Sequence, residues 1–512
     1  MPKFITGSRK QLLGAGVALY LLVWAAFNLS SLSRYPSATC DEAFYARSAL
    51  RYTEALLAGE RWPQSGTGFY LPHGRIYWAL LGGALTLLGQ TMFTGRLVSL
   101  AGLAGVMAAT YLVGRRYASP RVGLWSAALI GVTWIGLHTG HRARPDMLAV
   151  AASIGTVGLA HVLRERGQAW LFGALGLALT LQLDIHPLTM HIGIPLAVMV
   201  AIGLIRDRAW ASSAWFVLGL AVGGVVLLQL HLGPQAVPML KRFLLSPLEV
   251  AQSQGLMALS GANSSVLDVL LASPQRFGNF WWHCYAWLTP VFSLPQAVLF
   301  VLGLVGALIK PDRNLFSLAM LVIFSSALFD LAEKLRSLPI VRRWPEALLT
   351  GLWLTYVAGG AYLVFTRPAR AYQTGADRLV EHIEPGARVM AHSTWWYALH
   401  DKVVFLDETL LTPVNSGLWW NSVPETDDME LADLPVKLAD EGSPEANARR
   451  VEAVLRDDLR PDYVIDDQVM GCLSSPSPLS EPLTAYLEQV CTPVDDITLE
   501  VYGRQVVYAC DW

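Results

Sequence analysis

Residues 95–117 read GRLVSLAGLAGVMAATYLVGRRY. From Gly95 to Gly114 the only charge is Arg96, and the stretch closes on Arg115 and Arg116. An α-helix needs about 20 mainly apolar residues to cross the hydrocarbon of a bilayer. A Lys/Arg cluster at one end marks the cytoplasmic mouth of such a helix. These residues therefore read as a transmembrane helix whose C-terminal end faces inward.

Working outward, runs of the same kind lie at 11–29, 119–138, 146–163, 169–184, 187–205, 210–231, 288–309, 314–331 and 344–365. Residues 76–89 (IYWALLGGALTLLG) are too short for a crossing and suit an interfacial or re-entrant helix. Leaving them out of the count puts Arg115, Arg116, Arg121, Arg164, Arg166, Arg206, Arg208, Lys310 and Arg313 on the cytoplasmic side together. The outer face then receives 30–94, 139–145, the turn around His186, and 232–287. Ten crossings from an inside N-terminus would return the C-terminus to the cytoplasm and place the basic segment 332–343 (AEKLRSLPIVRR) outside. An eleventh crossing or a half-helix between 310 and 366 is expected to resolve this. The first run follows Lys3, Arg9 and Lys10 and shows no Ala-x-Ala cleavage pattern, so it reads as an uncleaved anchor.

The composition agrees with a bilayer as solvent: of 512 residues, 53% are hydrophobic and 15% charged. Charge divides the chain. Residues 367–512 hold 26 acidic and 11 basic side chains, against 14 and 27 in residues 1–366. The expectation is a membrane domain over 1–366 and a soluble, acidic α/β domain over 367–512. In the latter, 373–383 reads as a helix, Pro385-Gly386 as a turn, and ARVMAH, 402–406, 462–465 and 505–509 as strands. Residues 420–448 read as a long acidic loop. Cys472, Cys491 and Cys510 admit either a disulfide in an oxidising compartment or free thiols. There is no Walker loop, zinc-spaced cluster, internal repeat or basic stripe for nucleic acid.

Acidic residues are scarce in the membrane part, so those on one face of the bilayer are the first candidates for chemistry. Asp41 and Glu42 follow the first crossing and open an amphipathic stretch, EAFYARSALRYTEALLAG, suited to the outer interface. Thr39 and Glu42 also fit a Thr-x-x-Glu capping box, with Asp41 complementing the helix dipole. The second constellation is His141-Arg142-Ala143-Arg144-Pro145-Asp146, at an outer-face mouth where Asp146 starts a helix. Two carboxylates near arginines could share the work, one taking a proton and the other holding a hydroxyl or a metal ion. Lys334, Arg336, Arg342 and Arg343 are either a phosphate cradle or a headgroup-facing cluster.

An Asp-Glu after the first span, then LPHGRIYWALL, GRLVSLAGLAGVMAATYLVGRRY and HRARPDMLAV, together resemble the bacterial C-type (GT-C) glycosyltransferases that use lipid-phosphate sugars. The relatives are protein O-mannosyltransferases and the aminoarabinose transferases of lipid A. The likeness covers roughly the first 210 residues. It implies a membrane α-helical fold of about 10–11 transmembrane helices with interfacial helices on the outer face, plus the small C-terminal α/β domain. It also implies transfer of a sugar from a polyprenyl-phosphate donor to a lipid, glycan or protein acceptor, with inversion. The expected location is the plasma membrane, in contact with membrane lipid, and the expected site is extracytoplasmic.

In that resemblance Asp41 is the general base and Asp146 the second acid, with Glu42 beside them. No cofactor is required, although Asp41 and Asp146 could hold a divalent cation, Mg or Mn. Substrate contacts fall to His73, Arg75, His141, Arg142, Arg144, His186, Arg336, Arg342 and Arg343. Leu71-Pro72-His73-Gly74-Arg75 departs from the family's His-Pro-Pro or Lys-Pro-Pro, and in LQLDIHPLTM Asp184 replaces a usual small residue. A transporter or lipid flippase is the competing reading; it predicts ionisable groups near the midplane and two similar halves.

Overall fold

The structure, a computed structural model, describes residues 3–36, 38–59, 74–166, 168–186, 189–232, 344–366, 370–407, 449, 452–467, 480–499 and 503–512. The chain forms two compact units. One comprises Met1–Pro36, Thr91–Val162 and Val298–Ala369, and the other Ser37–Gln90, Leu163–Ala297 and Arg370–Trp512.

The first unit is helical, with α1 (Lys3–Ser31), α4 (Met92–Tyr117), α5 (Pro120–Ile130), α6 (Trp134–Gly140), α7 (Asp146–Arg166) and α11 (Trp344–Thr366). Its core packs Leu32 against Leu100, Leu103, Val106 and Val113, joined by Met147 and Ile154 from α7. Arg96, the charge inside the opening stretch, is fully buried. Its Nη1 donates to the Leu32 carbonyl at 2.7 Å, just past the end of α1, which supplies the partner that a buried guanidinium requires.

The expected single crossing at 119–138 is corrected: it is broken into α5 and α6. Ser119 caps α5, with Pro120 in its first turn, and Thr133 starts a new helix by accepting from the Gly136 N–H at 3.1 Å. At the break, Trp24 Nε1 donates to the Gly131 carbonyl at 2.8 Å, so the carbonyl is satisfied across helices. A Cβ on Gly131 would come within 2.7 Å of Met107 Sδ.

The second unit contains α2 (Cys40–Ala58), α3 (Arg75–Leu88), α8 (Ala169–Ile185), α9 (Met190–Arg206), α10 (Trp210–Leu232) and the C-terminal domain. Helix α3 covers the short stretch expected at 76–89. It packs so closely on α2 that a Cβ on Gly82 would meet the Ala49 carbonyl at 2.2 Å.

Among the described residues, four helices are long and apolar enough to span a membrane, over Gly14–Ser31, Met92–Arg116, Asp146–Leu163 and Trp210–Leu227. These match the expected runs at 11–29, 95–114, 146–163 and 210–231. Ala169–Ile185 covers the run expected at 169–184, and Leu196–Arg206 part of that at 187–205; both are apolar helices of at most 17 residues. Residues 344–365 lie in α11. The runs 288–309 and 314–331 and the segment 332–343 fall outside the described residues.

The C-terminal domain opens with α12 (Arg370–Glu381), on the expected helix. Its sheet has five strands in the order β2-β1-β3-β5-β4: β1 (Arg388–Ala391), β2 (Val404–Asp407), β3 (Tyr463–Asp467), β4 (Cys491–Leu499) and β5 (Gly503–Cys510). β1 runs parallel to β2 and β3, whereas β5 runs antiparallel to β3 and β4. Helix α13 (Ser480–Val490) leads into β4 and contributes Leu487 to a core with Met390, Leu406, Leu455, Val464 and Tyr508. Four of these strands coincide with those read from sequence. Cys491 pairs with Cys510 in a disulfide that joins β4 to β5, while Cys472 and residues 420–448 lie outside the described part.

Candidate active site

In the second unit, α2 begins at a capped turn. The Thr39 N–H donates to Glu42 Oε2 at 3.0 Å, the reciprocal half of a capping box, and Glu42 is fully buried. Asp41 sits between them in the first turn; its side chain lies outside the described residues. Glu42 is thus committed to holding the turn on which Asp41 rides.

The C-terminal domain braces the same helix. A short helical turn at Ser393–Trp395 packs on α2, and the next, Trp396–Leu399, carries Tyr397. Tyr397 Oη donates to the Glu42 carbonyl at 3.4 Å, and the Arg47 guanidinium lies 5.5 Å from the centre of the Phe405 ring. His400, at the end of these turns, stacks on Trp396 with ring centres 4.3 Å apart. Burial holds its pKa below the ordinary histidine value, although a bond to the Trp396 carbonyl opposes that shift.

A further cluster of candidate residues, around Gly74 and Asp184, also belongs to this unit. Gly74, at φ +96°, precedes α3 in a left-handed conformation that favours glycine. Its N–H donates to the Asp184 carbonyl, and Asp184 Oδ2 accepts from the Ile76 N–H at 2.7 Å. A buried carboxylate thereby caps the positive end of α3. Arg75 is brought beside Asp184, and His186 caps α8 two residues on. The carbonyl of His186 accepts from Thr189 Oγ1 at 2.8 Å. Arg75 and His186 are therefore held at one junction of α3 with α8, and His73 lies outside the described residues. Sequence reasoning noted Asp184 only as an odd substitution. An acid facing a Gly-x-x start in another segment carries no local signature.

In the first unit, the 141–146 loop is held by distant partners. His141 is fully buried, with Nδ1 3.0 Å from the Tyr35 carbonyl and Nε2 2.8 Å from Asn28 Oδ1. Both ring nitrogens are engaged inside the protein. Ser99 Oγ donates to the Arg144 carbonyl at 2.9 Å, and the Arg144 N–H lies 3.1 Å from the same hydroxyl. Arg144 Nε pairs with Asp146 Oδ2 at 2.8 Å, both side chains about a quarter exposed (28% and 25%). Arg142 is half-buried in the same loop. Arg336, Arg342, Arg343 and Lys334 fall outside the described residues. Asp41 and Asp146 belong to different units, each with its own scaffold. Among the described residues, no group of three or more His, Cys, Asp or Glu side chains could hold a metal ion.

No protein-family profile matches this sequence, and no curated protein matches it. Solved structures do. An oligosaccharyltransferase from Archaeoglobus fulgidus, solved with zinc and sulfate, aligns over 96% of this chain and 73% of its own, with a TM-score of 0.50 and 14% identity. ArnT from Cupriavidus metallidurans in the apo state aligns over 97% and 98%, with a TM-score of 0.48 and 15% identity. At these identities the likeness is one of fold, and this chain shares its fold with the oligosaccharyltransferase.

Proposed function

We propose that this chain is an integral membrane glycosyltransferase. It moves one sugar from a polyprenyl-phosphate donor to a hydroxyl of a lipid, glycan or protein acceptor at the outer face of the plasma membrane. The observation that carries the proposal is the braced turn at 39–42, in a GT-C fold, with Glu42 committed to the cap and Asp41 next to it.

A sugar phosphate has a good leaving group, so the reaction needs a base and a cationic cradle more than a strong general acid. The acceptor oxygen attacks the anomeric carbon in line, and Asp41 takes its proton. The bond from that carbon to the phosphate oxygen breaks, the electron pair leaves with polyprenyl phosphate, and the configuration inverts. Asp146, paired to Arg144, orients that arginine, while Arg75, Arg142, Arg336, Arg342 and Arg343 supply positive charge for the phosphate. His186 and His73 are assigned to substrate binding. His141 acts by holding its loop.

Two observations support an extracytoplasmic site. The C-terminal domain carries a disulfide, which persists in oxidising compartments, and that domain packs on the helix of Asp41. Arg115, Arg116 and Arg121 are exposed around the α4–α5 turn, in keeping with a cytoplasmic position there. Against a transporter, Asp41 and Asp146 sit in the first turns of their helices, where a midplane pathway would not use them.

The test is release of polyprenyl phosphate by the purified protein from a panel of polyprenyl-phosphate hexoses and pentoses. Asp41→Asn is expected to slow release by about 10²- to 10⁴-fold, and full activity in both Asp41→Asn and Asp146→Asn would remove the assignment. No step here requires a divalent cation. Chelation with EDTA should leave the rate unchanged; a loss restored by Mg or Mn would give Asp41 and Asp146 a metal-holding role.

A further inference from the structure

The contact between the C-terminal domain and α2 is small but aimed at one place. Tyr397 Oη reaches the backbone carbonyl of Glu42, in the first turn of the helix. That carbonyl belongs to the residue whose carboxylate closes the capping box on the Thr39 N–H. Asp41 lies between these two ties in the chain. Farther along α2, the Arg47 guanidinium lies over the Phe405 ring from β2 of the same domain, a second contact separate from the first. Tyr397 is half-buried and stands beside Trp396, ring centres 5.0 Å apart, so its direction is set by packing.

We infer that Tyr397 is a positioning residue for Asp41: from the C-terminal domain, its hydroxyl pins the first turn of α2 and so sets where the base meets the acceptor. The inference rests on the reading of Asp41 as general base. Its physical content is that a helix carbonyl already accepting from its own ladder can still tilt outward toward a second donor, and a fixed donor from outside sets that tilt. A proton transfer depends steeply on the distance between base and hydroxyl. Loss of the pin therefore slows the chemical step while leaving donor binding, which depends on other residues, intact. On this view the C-terminal domain is part of the catalytic apparatus.

The experiment compares steady-state kinetics of wild type, Tyr397→Phe, Phe405→Leu, Asp41→Asn and the double variant Asp41→Asn/Tyr397→Phe in detergent, with thermal unfolding of each. Tyr397→Phe keeps the ring and loses only the hydroxyl. Its kcat should fall about tenfold, as expected when one hydrogen bond is removed, with the donor KM within about twofold. In the Asp41→Asn background the same change should cost nothing further, because the group being positioned is gone. Phe405→Leu should keep kcat within about twofold, because it alters the separate Arg47 contact and leaves the Tyr397 bond in place. Unchanged kcat in Tyr397→Phe beside a slowed Asp41→Asn would overturn the inference and leave the proposed function standing. An equal kcat loss in Phe405→Leu would overturn it too, since any loosening of the domain would then suffice. Full activity in Asp41→Asn would instead remove the proposed function itself.

Discussion

The turn at 39–42 and the loop at 141–146 each present an acid at the start of a helix, but they are built in opposite ways. The first is held locally, by a cap four residues long, and braced once from the C-terminal domain. The second is held by partners far away in sequence: Asn28 and Tyr35 on His141, and Ser99 on the backbone of Arg144. A local cap fixes the backbone and leaves the neighbouring side chain its reach. A long-range network fixes side chains and backbone together, which suits a group that orients rather than one that transfers a proton. The sharpest way to break this contrast is to neutralise each acid. Asp41→Asn should lower kcat by about 10²- to 10⁴-fold, the range for losing a general base. Asp146→Asn should cost less and act more on the donor KM, because what it loses is a partner for Arg144. Equal losses in kcat at unchanged KM would erase the distinction.

The scaffolds themselves should differ in stability. Replacing His141 with Ala leaves the Asn28 amide oxygen and the Tyr35 carbonyl without that partner in a buried site. The expected cost is about 2–4 kcal/mol, since each unsatisfied buried group costs about 1–3 kcal/mol. Thr39→Ala removes one side of a cap, for about 0.5–2 kcal/mol. Thermal or denaturant unfolding in detergent orders the two. A larger effect at Thr39 would mean that the 39–42 turn, and not the 141–146 loop, is the more heavily anchored of the pair.

The same contrast explains what could be read without a structure. Membrane helices announce themselves by apolar length, so α1, α4, α7 and α10 stood out from composition alone. The capping box is a four-residue pattern, and Glu42 carries it in plain sight. His141 gives no such signal, because Asn28 and Tyr35 lie 113 and 106 residues away and nothing near the histidine betrays them. Asp184 escaped for the same reason: its Ile76 partner is 108 residues distant. The break between α5 and α6 was hidden inside an apolar run whose hydropathy continues across Gly131 and Thr133. Strand β4 was missed because CTPVDDITL, with Pro493 and two aspartates, has the composition of a turn. It is an edge strand with a bulge between Pro493 and Asp495, where proline and charge are tolerated.

The smallest expected effect concerns the brace alone, through His400 at the end of the turns that carry Tyr397. Burial lowers its pKa from 6.5 in the folded protein, so the unfolded chain takes up the proton first as pH falls. The unfolded state then binds more protons, and stability declines below about pH 6.5 down to the folded-state pKa; above that value His400 is neutral in both states and adds no pH dependence. Carboxylates elsewhere also titrate in acid, so the reading must be a difference. Unfolding temperature, measured from about pH 7.5 to about pH 5.5, should fall further in wild type than in His400→Gln, which cannot take the proton. If His400 is stacked where the turns meet α2, the two curves meet at neutral pH and separate only in acid. Parallel curves would mean that His400 is as easily protonated in the folded protein as in the unfolded chain, and that the brace is insensitive to pH where the 39–42 turn depends on it.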